Sequence, residues 1–167
     1  GALILGWSLT PPRQRLRAGV LPSLEPGHVV LNGWLAIAPD DTVSIITPKS
    51  EMGQGIHTAL AMIVAEELDC DWARVRTVPA PIDRVYNNVA AIVDGLPLHP
   101  DDMEAAPARA LRWLAAKAAR EVGMMMTSAS SSVRDVWDVA RDAGATARAQ
   151  LLAAAALATM AMLVKLA

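Results

Sequence analysis

Short stretches in the first third of the chain are rich in hydrophobic residues and bounded by turn-forming residues, as β-strands are. Residues 34–38 and 42–47 are two such stretches, separated by Pro-Asp-Asp, and Val43 and Ile45 fall on one face of the second stretch. Proline followed by aspartate suits the central positions of a type I turn. The pattern therefore predicts a β-hairpin over residues 34–47.

Helical spacing replaces this pattern after residue 55. Apolar side chains recur at intervals of three and four residues, at Ile56, Leu60, Ile63, Val64 and Leu68. Glu66, Glu67 and Asp69 crowd the carboxyl end of the predicted helix and oppose its macrodipole, at about a few tenths of a kcal/mol each. Because residues 75–78 have the composition of a short strand, the region predicts a β-β-α-β unit.

The second half of the chain predicts mainly helix. Residues 79–100 are rich in Pro, Asn, Asp and Gly and predict a long irregular connection, although 89–93 is too apolar to be a solvated linker. Helical patterns follow over residues 103–122 and from residue 133 onward, where alanine is abundant. We therefore predict one α+β domain, in which a small sheet containing an antiparallel pair has helices packed on one face.

Both ends of the chain are apolar. Residues 1–9 resemble the end of the hydrophobic region of a secretory signal, with a loosely packed terminus as the alternative. A signal remnant implies the periplasm or the periplasmic face of a membrane, and otherwise the cytoplasm. Residues 151–164 carry no charge but fall short of the roughly 20 residues that span a bilayer. They predict a helix that packs on further sequence and favours aggregation when exposed.

Charge and cysteine content exclude several classes of function. Fifteen basic against 17 acidic residues give a net charge of -2, so no basic field favours nucleic acid. The single cysteine, Cys70, excludes an internal disulfide and cannot ligate an iron–sulfur cluster alone, so we interpret it as a packing residue. His28, His57 and His99 lack the spacing of a zinc site.

The segment PKSEMGQG, residues 48–55, lies where a strand is predicted to end and a helix to begin. Gly53 and Gly55 permit unusual backbone angles and a close approach of ligand, and free amides at a helix start favour an anionic group. Gln54 adds an amide that can donate and accept, which suits the polar edge of a pterin or purine. The alternative is an ordinary tight turn between strand and helix.

A second candidate segment is MMMTSASSS, residues 124–132. Ser130, Ser131 or Ser132 can cap the helix that follows, and the same hydroxyls and amides can instead hold a phosphate. The three methionines are predicted to be core residues, because flexible thioethers fill gaps in packing.

Taken in order, these and other short segments resemble the molybdopterin-binding large subunit of the xanthine oxidase and aldehyde oxidase family. Within it, the resemblance is strongest to the isoquinoline 1-oxidoreductase beta subunit and related membrane-associated aldehyde dehydrogenases. It covers roughly residues 31–156, after a lead segment at 1–30 and before a divergent apolar tail at 157–167. The segments that carry it are PKSEMGQG with HTALA, AEELD, VYNN, VDGLP, HPDD, REVG, MT, SSSVRD, AGA and ARA.

The resemblance implies a cofactor, molybdopterin or a dinucleotide form of it, held by Gly53, Gln54 and Gly55. Ser130, Ser131 and Ser132 would lie near its phosphate side. In the family the pterin and oxygen or sulfur ligate the molybdenum, so no protein metal ligand is expected. Residues 128–129 are usually Gly-Gly in the family. We expect Ser-Ala at these positions to narrow the space through which the cofactor approaches the chain.

The family hydroxylates a carbon of an N-heterocycle or aldehyde with oxygen from water. Electrons leave through iron–sulfur clusters on a small partner subunit, and a glutamate near the far end of the large subunit acts as base. That region has no counterpart here, and Glu51 is not that base. We therefore expect a fragment, inactive alone, that needs the remainder of the large subunit. The alternatives are a non-catalytic truncated chain that associates with a membrane or partner helix, and a product with no selected activity.

Overall fold

Strands and helices follow one another in the computed structural model, which describes residues 14–166. The strands are β1 (Val29–Asn32), β2 (Leu35–Ile37), β3 (Val43–Thr47) and β4 (Val75–Pro79). The helices are α1 (Ile56–Leu68), α2 (Val89–Asp94), α3 (Ala106–Val122) and α4 (Ser132–Leu166), with short 3-10 turns at Trp72–Arg74, Arg84–Tyr86 and Pro100–Asp102. The α+β prediction is confirmed.

The strands form one mixed sheet in the order β1-β2-β3-β4. The predicted hairpin is present, with β2 antiparallel to β3 and Leu35 opposite Ile45. Helix α1 then crosses over, so that β4 runs parallel to β3 with Val75 beside Val43. The predicted β-β-α-β unit is therefore confirmed.

Strand β1 was missed in the sequence. Val29 is 60% exposed and Val30 37% exposed, so this edge strand is much less buried than β2 and β3. It is held instead by antiparallel pairing with β2, which is interrupted by an irregularity between Val30 and Asn32. Pairing with a neighbouring strand can stabilise a segment that has no pattern of its own.

Helices α1 and α4 pack tightly on each other beside the sheet. The buried side chains form two adjoining clusters, both of which draw on the sheet, α1 and the first half of α4. Gly144 of α4 lies so close to α1 that an added Cβ would stand 2.5 Å from the Val64 carbonyl oxygen. Cys70 packs against one cluster, and burial raises the pKa of its thiol.

The acidic end of α1 is neutralised by α4. Arg141 forms an ion pair with the Glu67 carboxylate, and Arg148 lies 2.7 Å from the carboxylate of Asp69. Exposed pairs of this kind contribute about 0–1 kcal/mol each. That range is similar in size to the unfavourable macrodipole interaction of about a few tenths of a kcal/mol for each acid.

The predicted irregular connection contains one short helix. Helix α2 forms at the apolar stretch of residues 89–93, because the Asn88 side chain accepts a hydrogen bond from the Ala91 amide and caps it.

The three methionines of residues 124–126 differ in their environments. Met125 packs against the core, whereas Met124 is 60% exposed, so the core prediction is wrong for Met124.

The carboxyl-terminal half of α4 projects away from the rest of the chain. All residues from 151 to 165 are exposed. Within residues 14–166, the helix Ser132–Lys165 is long and apolar enough, by length and composition, to cross a membrane. An 18-residue stretch of it has a mean hydropathy of 1.6, and 6% of that stretch is buried. The predicted signal remnant at residues 1–9 lies outside the described residues.

Candidate functional site

The loop of residues 48–55 connects β3 to α1 and adopts backbone angles that glycine favours. Gly53 has φ 91° and Gly55 has φ 76°, both in the left-handed region. A Cβ added at either position would meet nothing within 4 Å, so both glycines border open space. The two glycines are therefore required by backbone conformation, and they leave one side of the loop accessible.

The Glu51 side chain already occupies the amides at the start of α1. Its carboxylate accepts hydrogen bonds from the amides of Gly53 and Gly55, each 2.9 Å, and of His57, 3.1 Å. The amides of His57 and Gly55 are the main reason that the pKa of Glu51 lies below its usual value. The expectation that these amides are free for an external anion is therefore wrong, because a carboxylate of the chain itself fills the favourable position.

The Gln54 amide is oriented by its own loop. Its Oε1 atom accepts from the Met52 amide at 2.6 Å, and its Nε2 atom donates to the Ser50 carbonyl at 2.8 Å. A primary amide has two donor hydrogens and two acceptor lone pairs, so one of each remains for a ligand. The loop thus presents a single amide edge in a defined direction.

The second candidate segment forms a tight turn at the start of α4. Ser131 donates to the Ser128 carbonyl through both its amide, 3.2 Å, and its hydroxyl, 2.7 Å. The central residues Ala129 and Ser130 have φ 54° and 50°. The left-handed region costs a residue other than glycine about 1–2 kcal/mol. Contacts with the surrounding residues must therefore hold this turn of residues 128–131, which we call the serine turn.

The fold brings the two candidate segments together on opposite walls of one cleft of about 460 Å³. Gln54, Ser130 and Ser132 line it directly. Gly53 and Gly55 shape the adjoining loop, and Ser131 lies completely buried beneath the turn. The other lining residues are Met52, Ile56, Ala59, Thr127, Ser128, Ala129 and Val133.

A buried charge cluster joins the loop of residues 48–55 to the start of α4, and the sequence analysis missed it. The Asp135 carboxylate lies 3.0 Å from the Lys49 ammonium and 3.1 Å from the Arg15 guanidinium. Side-chain exposure is 1% for Asp135, 0% for Lys49 and 11% for Arg15. Lys49 therefore ties the loop of residues 48–55 to the first turn of α4, and Arg15 ties the lead segment to the same turn.

The charges in this cluster determine one another's protonation. Burial opposes ionisation of Asp135, but the Arg15 and Lys49 charges and their hydrogen bonds outweigh it and hold the pKa of Asp135 below its usual value. Burial lowers the pKa of Lys49, and Asp135 opposes that shift. Asp135 also accepts from the amides of Val89 and Ala90, at 2.8 and 3.2 Å. The carboxylate thus satisfies two cations and the start of α2.

One sequence signal for this cluster was present. Lys49 closely follows a strand of five buried residues, and Asp135 stands one position before the buried Val136. A charge among buried positions usually has an opposite charge as its partner. Local pattern nevertheless gives no indication of which acid and which base meet.

The donor set of the cleft fits the polar edge of a planar heterocycle such as a pterin. Met52, Ile56 and Val133 provide apolar surface, and Gln54, Ser130 and Ser132 provide amide and hydroxyl groups. Within residues 14–166, no three His, Cys, Asp or Glu side chains are grouped so as to hold a metal ion.

Comparison with known proteins matches residues 6–92 to the molybdopterin cofactor-binding domain family. The chain is 37% identical over 126 residues to the beta chain of isoquinoline 1-oxidoreductase from Brevundimonas diminuta, covering 75% of this chain and 12% of that protein. It is 33% identical over 119 residues to a membrane-bound aldehyde dehydrogenase (pyrroloquinoline-quinone) of Gluconacetobacter polyoxogenes, covering 71% and 11%. It is 32% identical over 124 residues to one subunit of the nicotinate dehydrogenase of Pseudomonas putida, covering 74% and 10%. The chain thus spans about a tenth of the length of these relatives.

Proposed function

Because the chain belongs to the molybdopterin-binding family of xanthine oxidase-type enzymes, we propose that it forms one wall of the cofactor site in the large subunit of a molybdenum hydroxylase. The observation that carries this proposal is the cleft between Gln54 and the serine turn. Its two walls come from segments that are far apart in the sequence, and each presents polar groups to the same space. A simple strand-to-helix turn would not require such a second wall.

Each residue of the cleft has a distinct role in this proposal. The remaining donor and acceptor of Gln54 bind the polar edge of the pterin, and Gly53 and Gly55 allow it to come close. Ser130 and Ser132 hydrogen-bond its phosphate side, or the phosphates of a dinucleotide form. Ser131 supports the turn from below. Once bound, the cofactor supplies the molybdenum centre at which oxygen from water is transferred to a carbon of an N-heterocycle or aldehyde.

The remainder of the enzyme lies outside this chain in our proposal. The cleft is open on one side, so further sequence of the large subunit would complete it and contribute the substrate pocket and the base. An iron–sulfur partner subunit would accept the electrons. Two of the relatives are themselves named as single subunits, of isoquinoline 1-oxidoreductase and of nicotinate dehydrogenase, which supports this arrangement. We place the enzyme in the periplasm or on its membrane face, with the cytoplasm as the alternative.

The pterin and molybdenum content of the purified protein tests the cleft. The product of the reading frame that contains this chain is expressed in a host that makes the cofactor, as wild type, Gln54→Ala and Gln150→Ala. Gln150 is an exposed glutamine on α4 and serves as the matched control. We expect Gln54→Ala to lower the pterin content about two- to tenfold, because removing one polar contact to a ligand costs about 0.5–1.5 kcal/mol. Equal content in all three proteins would contradict the proposal.

Activity of the isolated chain tests its fragment status. We expect the 167-residue chain to show no oxidation of N-heterocycles or aldehydes, because the base and the substrate pocket belong to the remainder of the enzyme in this proposal. Turnover by the purified chain would overturn that part of it. Translation of the flanking DNA in all frames supplies the complementary test, since a fragment predicts further cofactor-binding sequence and a nearby gene for an iron–sulfur subunit.

A second candidate function is association with a membrane or a partner helix. The observation that favours it is the exposed apolar half of α4. Its uncharged residues 151–164 are about 21 Å long at 1.5 Å per residue, shorter than the roughly 30 Å core of a bilayer, so insertion would need neighbouring residues as well. Flotation with liposomes that is unchanged by Gln54→Ala and lost on deletion of residues 151–167 would favour this function. Failure to float would exclude the membrane form of it.

A further inference from the structure

The two walls of the cleft are joined at two points by adjacent residues of one loop. The Lys49 side chain points into the protein and binds Asp135 in the first turn of α4. The Ser50 amide points the other way and donates to the Thr127 hydroxyl at 2.8 Å, across 77 residues of sequence. Thr127 itself lines the cleft. The second link therefore lies at the cleft, between the glycine loop of residues 48–55 and the segment that leads into the serine turn.

Thr127 stands on a rigid buried support. Asn88 is completely buried, and its Nδ2 atom donates to the Met126 carbonyl at 3.0 Å and to the Ser131 hydroxyl at 2.8 Å. The Asn88 oxygen accepts from the Ala91 amide, and the Ser131 hydroxyl lies within hydrogen-bond distance of that oxygen, 3.2 Å, and of the Ser128 carbonyl, 2.7 Å. Asn88 thus holds the residues on both sides of Thr127 and its turn, and burial strengthens these bonds.

The hydrogen bonds inside the glycine loop have a different effect. Those of Glu51 and Gln54 join residues of the same loop or of the helix start that follows it. They fix the shape of the loop and leave its distance from the opposite wall undetermined. Lys49 anchors the start of the loop, and within residues 14–166 the bond from the Ser50 amide to Thr127 is the one that links the exposed part of the loop to the segment of residues 124–132.

We propose that Thr127 is a positioning residue whose hydroxyl sets the spacing between Gln54 and the serine turn. This inference rests on the proposed function, because the spacing matters only for a ligand that contacts both walls. The hydroxyl acts by accepting the Ser50 hydrogen bond, a role that serine can fill and valine cannot. Valine has nearly the shape of threonine, so it removes the acceptor and preserves the packing.

Amide hydrogen exchange of the chain tests the contact without any cofactor. In Thr127→Val we expect the Ser50 amide to exchange about three- to tenfold faster, as loss of a single net hydrogen bond implies. The Gly53 and Gly55 amides should keep their rates, because Glu51 binds them independently. Thr127→Ser should behave like the wild type. An unchanged Ser50 rate in Thr127→Val would overturn the proposal.

Cofactor content then tests whether the contact positions a ligand. In the product of the reading frame that contains this chain, Thr127→Val should lower pterin content about threefold or more, as loss of one hydrogen bond implies, and Thr127→Ser should restore it. Full content in Thr127→Val beside a loss in Gln54→Ala overturns the positioning role and leaves the cleft proposal standing. Full content in Gln54→Ala overturns the proposed function and the positioning role with it.

Discussion

Asp135 is the central residue of the buried charge cluster, because it pairs with both Lys49 and Arg15. Its carboxylate is 1% exposed and compensates two cations that are themselves almost fully buried. Its attraction to both arises in a region of low dielectric, and the two hydrogen bonds from α2 satisfy its remaining oxygen lone pairs. Removal of such a carboxylate leaves two buried positive charges without a partner, and this determines its energetic importance.

Asp135→Asn should therefore destabilise the chain by about 3–5 kcal/mol, the usual cost of leaving buried charge without its partner. Asp138→Asn, which changes an exposed aspartate on the same helix, is the matched control and should alter stability by less than about 0.5 kcal/mol. Urea unfolding of the three proteins measures the difference. A similar urea midpoint for both variants would show that Asp135 does not form its buried ion pairs in solution.

The pH dependence of stability should carry the signature of Asp135. Its folded-state pKa lies below the usual value, so its stabilisation is complete above the unfolded-state pKa of about 3.9 and is lost as pH falls through the folded-state pKa. Urea midpoints measured from about pH 6 to about pH 2 should fall less steeply in Asp135→Asn than in the wild type. Parallel curves would contradict the assignment.

The serine turn stores backbone strain at Ser130. Because φ is 50° there, glycine should fit better than serine, and we expect Ser130→Gly to stabilise the chain by about 1 kcal/mol. Ser128→Gly is the control, since its φ is not positive and glycine there adds only flexibility to the unfolded chain. Thermal unfolding should place the two variants on opposite sides of the wild type. Loss of stability in both would show that the turn is unstrained.

Among the secondary-structure elements, the crossing of α1 and α4 sets the position of both cleft walls. The crossing is close because Gly144 has no side chain where α4 meets the Val64 carbonyl. The glycine loop ends at the start of α1, and the serine turn ends at the start of α4. A change in this crossing would therefore move both walls relative to each other.

Gly144→Ala should destabilise the chain although alanine favours helix. The propensity gain is about 1 kcal/mol, whereas a Cβ at 2.5 Å from a backbone oxygen forces the helices apart at a cost of about 1–3 kcal/mol or more. Ala145→Gly, at the exposed neighbouring position, measures the propensity contribution by itself and should cost about 1 kcal/mol. Stabilisation by Gly144→Ala in urea unfolding would mean that the two helices cross less closely in solution.

Considered as a whole, the molecule divides into a packed part and a projecting helix. Deleting residues 151–167 should change the free energy of unfolding by less than about 0.5 kcal/mol, because residues 151–165 are all exposed. The same deletion should reduce self-association, since it removes a continuous apolar surface. Sedimentation and urea unfolding measure the two effects. A large loss of stability would show that this half of α4 packs on the domain.

Features that depend on short-range pattern could be predicted from the amino-acid sequence. Alternation and helical spacing predicted the hairpin, α1 and the α+β class, and the ordered short segments predicted the family. The two segments of the candidate site were also found in this way, because glycines and serines at element boundaries reflect local backbone requirements. All of these features arise between residues only a few positions apart.

Which distant groups meet became visible only in the folded chain. Lys49 and Asp135 are 86 residues apart, and Ser50 and Thr127 are 77 apart. Edge strand β1 likewise exists because β2 pairs with it, and Glu51 binds amides that we had expected to be free. Local pattern specifies which face of an element is buried. The partner of a buried charge or amide depends on the path of the whole chain, because such groups must be satisfied by whatever the folded structure places beside them.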